Sequence, residues 1–175
     1  MKHAWFVAGT DTGVGKTRVA CGLLRALAHS GRRVAGMKPV ASGCYLSESG
    51  LRNADAEALL ACSSLPLDYR DINPYAFAPP TAPHLAARAA GVDIDIDIIR
   101  AHYQRLAAQV DDVVVTPAPG AGVLGAMHTS MADVVLALRL PAILVVGIRL
   151  GAMNHALLTL ESMARAGVEV RGWIA

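Results

Sequence analysis

The chain has 175 residues, 54% of them hydrophobic and 17% charged, and sixteen Lys and Arg against fourteen Asp and Glu give a net charge of +2. The two signs are interspersed rather than blocked, which gives nucleic acid no footing as a partner. No apolar run reaches bilayer-spanning length, so no membrane is expected, and the opening MKHAWFVAGT lacks the pattern of a secretory leader.

Three cysteines, Cys21, Cys44 and Cys62, are odd in number and have no CxxC spacing. Neither a disulfide framework nor a zinc site is expected, and a reducing, cytoplasmic setting fits best. The length fits a single domain over residues 1–175. So high an apolar fraction calls for a sheet covered on both faces, an oligomer interface, or both.

In chain order, AWFVA (4–8) reads as a short apolar strand running into a glycine-rich turn, and KTRVACGLLRALAHSG follows as a helix closed by Gly31. RVAGMKPV (33–40) is a second strand ended by Pro39, and residues 41–51, rich in Ser and Gly, read as a loop. Asn53 is a candidate N-cap for NADAEALLA. The proline-rich INPYAFAPPTAPHLAARAAG is expected to cross the surface with a short helix at 84–90. IDIDIIRAHYQRLAAQ (94–109) ends as a helix, although its opening Ile/Asp alternation also fits a strand.

DDVVVT (111–116) is a buried strand, followed by a Gly/Pro loop and the helix MADVVLAL. AILVVG (142–147) is an apolar strand of the parallel-sheet kind, HALLTLESMARAG is a helix, and VEVRGWIA is the last strand. There is no internal repeat and no linker. Strands alternating with helices predict a doubly wound α/β fold, a mostly parallel sheet with helices on both faces, with ligands at the carboxyl ends of the strands.

The turn after the first strand, AGTDTGVGKT (8–17), has the Gly-Lys-Thr ending of a phosphate loop. The glycine expected five residues before Gly15 is Thr10, and Gly9 stands one position early, so the loop is one residue longer than that of GTPases and motors. Backbone N–H groups at Gly13, Val14 and Gly15, the helix dipole and the Lys16 ammonium are what phosphate needs, and Thr17 would place a hydroxyl on Mg²⁺. Thirteen basic residues are Arg and the only lysines are Lys2, Lys16 and Lys38. An Arg-favouring coding bias accounts for the Arg count, but Lys16 and Lys38 both stand in turns after predicted strands, where a compact ammonium suits phosphate.

Five stretches, GTDTGVGKT, GMKPVASG, GLRNADAEAL, NPYAFAPPTAPHLAA and LPAILVVGIRLGAMNHALLTLE, together resemble, in order, the motifs of the dethiobiotin synthetase family, P-loop ligases of biotin biosynthesis. The resemblance implies an ATP- and Mg²⁺-dependent cyclo-ligase. CO₂ is taken up by 7,8-diaminopelargonate as a carbamate, ATP phosphorylates it, and the second amine closes the ring. It also implies a homodimer with the active site at the interface. Residue by residue it assigns Lys16 and Thr17 to phosphate and Mg²⁺, Lys38 to the carbamate and γ-phosphate, and Ser42 to the substrate nearby. Asp55 is assigned to Mg²⁺ and Thr12 to the reacting groups. The segment holding Leu150, Gly151 and Asn154 is assigned to the carboxylate of substrate bound by the partner. Taken alone, Asp55 reads more readily as a first-turn aspartate, a reading that only the motif context reverses, and Asn154 equally as an N-cap; His84 and His155 have no metal spacing and read as structural.

The chain departs from the family in two places. Where the family has a Mg²⁺-binding glutamate after the third main strand, this chain has Thr116 in Thr116-Pro117-Ala118-Pro119-Gly120. A weaker metal site is expected, with Thr116 positioning a water or Asp11 compensating. The family also continues past its Gly-Trp strand with segments that hold adenine, which a chain ending at Ala175 is expected to lack. The alternative expectation is therefore a catalytically impaired nucleotide- or diamine-binding remnant. A partitioning-type ATPase of the same fold would carry a second lysine near the loop's start, where Thr10, Asp11 and Thr12 stand.

Overall fold

The computed structural model describes residues 3–118 and 130–175; Lys2 and most of the expected Gly/Pro loop, including Pro119 and Gly120, lie outside the described residues. The first half comprises β1 (His3–Gly9), α1 (Lys16–His29), β2 (Val34–Met37), β3 (Val40–Ala41), β4 (Tyr45–Ser47), β5 (Gly50–Arg52), α2 (Ala54–Ala61), α3 (Tyr69–Ile72) and β6 (Tyr75–Ala76). There follow α4 (Pro83–Ala89), α5 (Ile96–Gln109), β7 (Asp112–Val115), α6 (Met131–Ala137), β8 (Ala142–Val145), α7 (Ala152–Arg165) and β9 (Val170–Ile174).

Five strands form one parallel sheet in the order β2-β7-β1-β8-β9. Val34–Met37 and Asp112–Val115 are buried throughout, as the continuous apolar runs of a two-sided parallel sheet require. From β1 the chain goes out through α1 to β2, comes back to β7 beside β1, and then crosses to β8 on β1's other side. The strand order therefore reverses around β1, and the crevice at its carboxyl end is where a doubly wound sheet offers a ligand room.

Helix starts follow local chemistry. The Asn53 side chain accepts the backbone N–H groups of Asp55 and Ala56, so α2 begins at a fixed point and carries Asp55 in its first turn. Asp95 accepts from Asp97 N–H in the same way, which resolves the ambiguous Ile/Asp stretch as a cap followed by a helix. Ser130 and Asp133 form a reciprocal capping box at α6. Leu24 of α1 is wholly buried in the core. Leu24→Ala is expected to lower stability by about 3 kcal/mol, read as a reduced urea midpoint at unchanged slope.

Three expectations are corrected. RVAGMKPV is not one strand: Lys38 N–H leaves the ladder for Ile72 O at 2.8 Å, Pro39 has no N–H to give, and Val40–Ala41 pairs instead with Tyr75–Ala76 as a separate two-stranded sheet. The expected loop at 41–51 contains a short antiparallel hairpin, β4 with β5, whose Tyr45 and Leu46 are exposed. The proline-rich segment enters through one turn of helix, α3, and the β6 strand before the expected short helix at α4.

Candidate functional site

The glycine-rich turn is shaped by two left-handed glycines, Gly13 at φ +75° and Gly15 at φ +97°, and Gly15 caps α1. Between them Val14 turns inward as a wedge. A Cβ on Gly9 would fall 2.8 Å from the Lys16 stem and 2.9 Å from Val14, and one on Gly147 would fall 2.7 Å from Val14. The displaced glycine thus has a physical reason: position 9 must be bare to let Val14 and the Lys16 stem lie against β1. Thr10, at the position where shorter loops have glycine, fastens the turn to β8 through Thr10 N–H to Val145 O at 3.0 Å and Gly147 N–H to Thr10 Oγ1 at 3.4 Å.

Lys16 Nζ donates to Asp11 O at 2.6 Å. Burial, and next the like charge of Lys38, hold the Lys16 ammonium below the usual lysine range. Both stresses would be relieved by an anion in the turn. The Asp11 carboxylate is engaged by Arg149 and by Thr12 N–H, and these hold it below the ordinary carboxylate range. Asp11 faces a second, largely apolar cavity of about 300 Å³ between β1, α6 and α7 and does not line the main one. The structure therefore gives no support to Asp11 as a substitute metal ligand.

Lys38 follows β2 and is 2% exposed, yet it is charged side chain and backbone anchor at once. Its Nζ donates to Asp55 Oδ2 at 3.0 Å and to Pro117 O at 3.1 Å, which leaves one of three protons without a partner among the described residues. Burial pushes the Asp55 carboxyl up, but the charge and hydrogen bond of Lys38, the Thr17 hydroxyl and the charge of Lys16 outweigh it and leave the group below its ordinary value. Asp55 is therefore a carboxylate across the neutral range.

Two residues that motif reading did not single out hold this pair. Asn73 Nδ2 donates to Lys38 O at 2.7 Å and to Tyr75 O at 3.1 Å, and Tyr69 Oη donates to Asn73 Oδ1 at 3.2 Å. Tyr69 Oη also accepts Asn53 N–H at 2.8 Å, at the cap that starts the Asp55 helix. One buried chain of hydrogen bonds so fixes both arms of the Lys38–Asp55 pair. The only sequence sign of it is Asn73 in front of Pro74, an ordinary turn signal. Asn73→Ala strands the buried Lys38 carbonyl, while Tyr75 O keeps its place in the β3–β6 ladder, and is expected to cost about 1–3 kcal/mol by denaturant unfolding.

Thr12, Gly13, Val14, Gly15, Lys16, Thr17, Lys38, Asp55 and Thr116 all border one cavity of about 540 Å³ at the carboxyl ends of β1, β2 and β7. Thr116 N–H continues the ladder to Met37 O at 2.8 Å, whereas its hydroxyl is buried and has no partner among the described residues. Ser42 lies outside this cavity in the turn after β3, its carbonyl 3.5 Å from Asn53 Nδ2. Leu150, Gly151 and Asn154 stand away from the cavity at the start of α7; Gly151, at φ +88°, is the cap, so Asn154 is not. Leu150 is fully exposed, and α7 leaves Met153, Leu157 and Leu158 in solvent. The three cysteines are free thiols.

The donor set fits a small hard cation completed by a ligand's phosphates. Thr17 Oγ1 and the Asp55 carboxylate adjoin each other, and among the described residues no three His, Cys, Asp or Glu side chains form an all-protein cage. Mg²⁺ is characteristically held by one or two carboxylates together with substrate phosphates and water.

A family model described as an AAA domain matches residues 3–175. The ATP-dependent dethiobiotin synthetase BioD of Nitrosospira multiformis is 47% identical over 175 residues, covering all of this chain and 76% of the relative. The protein of the same name from Pseudomonas aeruginosa strain UCBPP-PA14 is 48% identical over 173 residues, covering 98% of this chain and 76% of its own length. Among solved structures, the septum site-determining protein MinD of Pyrococcus horikoshii, complexed with Mg-ADP, superposes with TM-score 0.56 at 18% identity over 99% of this chain and 69% of MinD. At that identity the likeness speaks for the doubly wound fold alone.

Proposed function

The chain belongs to the ATP-dependent dethiobiotin synthetase family, and we propose that it carboxylates 7,8-diaminopelargonate with CO₂ and closes the ureido ring with conversion of ATP to ADP and phosphate. What carries the reading in the structure is the grouping of Lys16, Thr17, Lys38 and Asp55, from three separate elements, around one cavity. A carbamate oxygen attacks the γ-phosphorus and ADP leaves. The second amine then attacks the carbamate carbon, the C–O bond to phosphate breaks, and phosphate departs.

Little covalent help is needed for the first transfer; negative charge spreading over the phosphoryl oxygens must be stabilised in place. Gly13, Val14 and Gly15 offer backbone N–H groups, Lys16 an ammonium at the loop, and Lys38 a second ammonium whose third proton is available to the carbamate and the γ-phosphoryl. Thr12 borders the same cavity and orients the reacting groups, and Ser42 does so from the neighbouring turn. Thr17 and Asp55 would hold Mg²⁺, which when bound neutralises charge on the phosphate oxygens. In a cytoplasmic homodimer, the Leu150, Gly151 and Asn154 segment of one protomer would receive the carboxylate of substrate bound in the other. The N–H groups at the start of α7 suit that anion, and the exposed apolar side chains of α7 suit an interface.

The test is ADP release, coupled to a reporter enzyme, with the diamine and bicarbonate present or omitted. Release that requires both is expected; no diamine-dependent release at high Mg²⁺ would sink the assignment. No observation in the structure favours the impaired remnant over the working enzyme.

A further inference from the structure

We propose that the Thr116 hydroxyl is a binding group for the terminal phosphoryl of the nucleotide, contacting its oxygen directly rather than through a metal ion. The proposal rests on the reading of the main cavity as the ATP site. Thr116 is 1% exposed, its Oγ1 has no hydrogen-bond partner among the described residues, and it borders the cavity beside Lys38 and Pro117. Buried hydroxyls in folded proteins are almost always satisfied. One left unpaired on the wall of a ligand cavity marks a contact that the ligand completes.

The charge around it selects an anion. Lys16, Arg18 and Lys38 border the cavity against one carboxylate, Asp55, and Asp11 lies outside it, paired with Arg149. A neutral hydroxyl adds no negative charge to that balance, and it can donate its proton to an oxyanion. Position selects the terminal phosphoryl. The loop amides at the start of α1 cradle the inner phosphates and Lys16 reaches from there toward the outer ones; Thr116 stands beyond the loop at the end of β7, next to Lys38 at the end of β2, on the outer side.

The experiment is calorimetric titration of ATP and of ADP into the wild-type chain, Thr116→Val and Thr116→Ser, each in EDTA and in Mg²⁺. Thr116→Val keeps the shape and removes the hydroxyl. It is expected to weaken ATP about tenfold with and without Mg²⁺, as loss of a hydrogen bond to a charged group does, and to leave ADP within about twofold. Thr116→Ser is expected to stay within about threefold of wild type for both. Thermal unfolding of Thr116→Val should be unchanged or higher, since an unsatisfied polar atom is removed. Equal ATP affinity in Thr116→Val, an equal loss for ADP, a loss confined to Mg²⁺, or a clearly lowered melting temperature would each overturn the proposal. Failure of the wild-type chain to bind ATP would overturn the reading of the cavity itself, an outcome separable from all of these.

Discussion

Lys16→Met is expected to weaken ATP binding by about 100-fold or more while leaving the fold at least as stable. The stem of residue 16 lies against Gly9, where a methionine of the same length still packs. Only the ammonium is lost, and its one hydrogen bond among the described residues is to the Asp11 carbonyl at the exposed loop. That ammonium is strained in the free protein, first by burial and then by repulsion from Lys38. A phosphate chain relieves both, so the binding energy given up should match or exceed that of one preorganised electrostatic donor.

The sign for stability follows from the same shift. A lysine whose folded pKa is lowered binds protons less readily in the folded state than in the unfolded one, so below that pKa the charge opposes folding. Removing it cannot cost stability on that account. ATP affinity of the wild-type chain should also decline at alkaline pH, before the ordinary lysine range is reached, and Lys16→Met should lose that part of the profile. Calorimetry with ATP across pH, alongside urea unfolding, reads both. ATP affinity within a few-fold of wild type in Lys16→Met would remove Lys16 from the site.

The sequence made some of this legible and hid the rest for identifiable reasons. β1, β7 and β8 announce themselves as short apolar runs between turn signals, and α1, α5 and α7 by helical spacing, because both patterns are local. The Asn53 cap is equally local, and it places Asp55 in a first turn. The hairpin of β4 and β5 is not, since its strands are three residues long and carry exposed Tyr45 and Leu46. Nor is the break at Lys38, which depends on Ile72 O, thirty-four residues away in the chain, taking its N–H. The motifs name Lys38 and Asp55 separately; that they form an ion pair, and that Tyr69 and Asn73 hold both ends of it, is tertiary. Thr116 is visible in sequence as a replacement for an acidic residue, but an unpaired buried hydroxyl is visible only in three dimensions.

Lys38→Met is expected to lower kcat by about 10²–10³-fold with a smaller loss of ATP affinity than Lys16→Met. Lys38 is the cation that adjoins both the carboxylate side of the cavity and the end of β7, and its third proton has no partner among the described residues. Its contribution should therefore fall on the transferring group rather than on the nucleotide at rest. Arginine should not rescue: the ammonium is 2% exposed between two acceptors, and a planar fork needs room and directions that this position lacks.

A merely structural Lys38 would predict something else, and Asp55 tells the two apart. In the native chain the Asp55 pKa lies below its unfolded value, so its stabilising share is present above about pH 4 and is lost as pH falls through the folded value. Without Lys38 the burial effect meets less opposition and the Asp55 pKa rises, so that stability should fall less steeply on acidification from a lower starting point. Methionine at 38 would change that profile whether Lys38 is structural or acts in the chemistry, whereas arginine keeps a positive charge and should change it less. A kcat loss that survives at pH 7, where both variants remain folded by circular dichroism, belongs to the chemistry. Near-native kcat in a folded Lys38→Met would instead make Lys38 a scaffold residue.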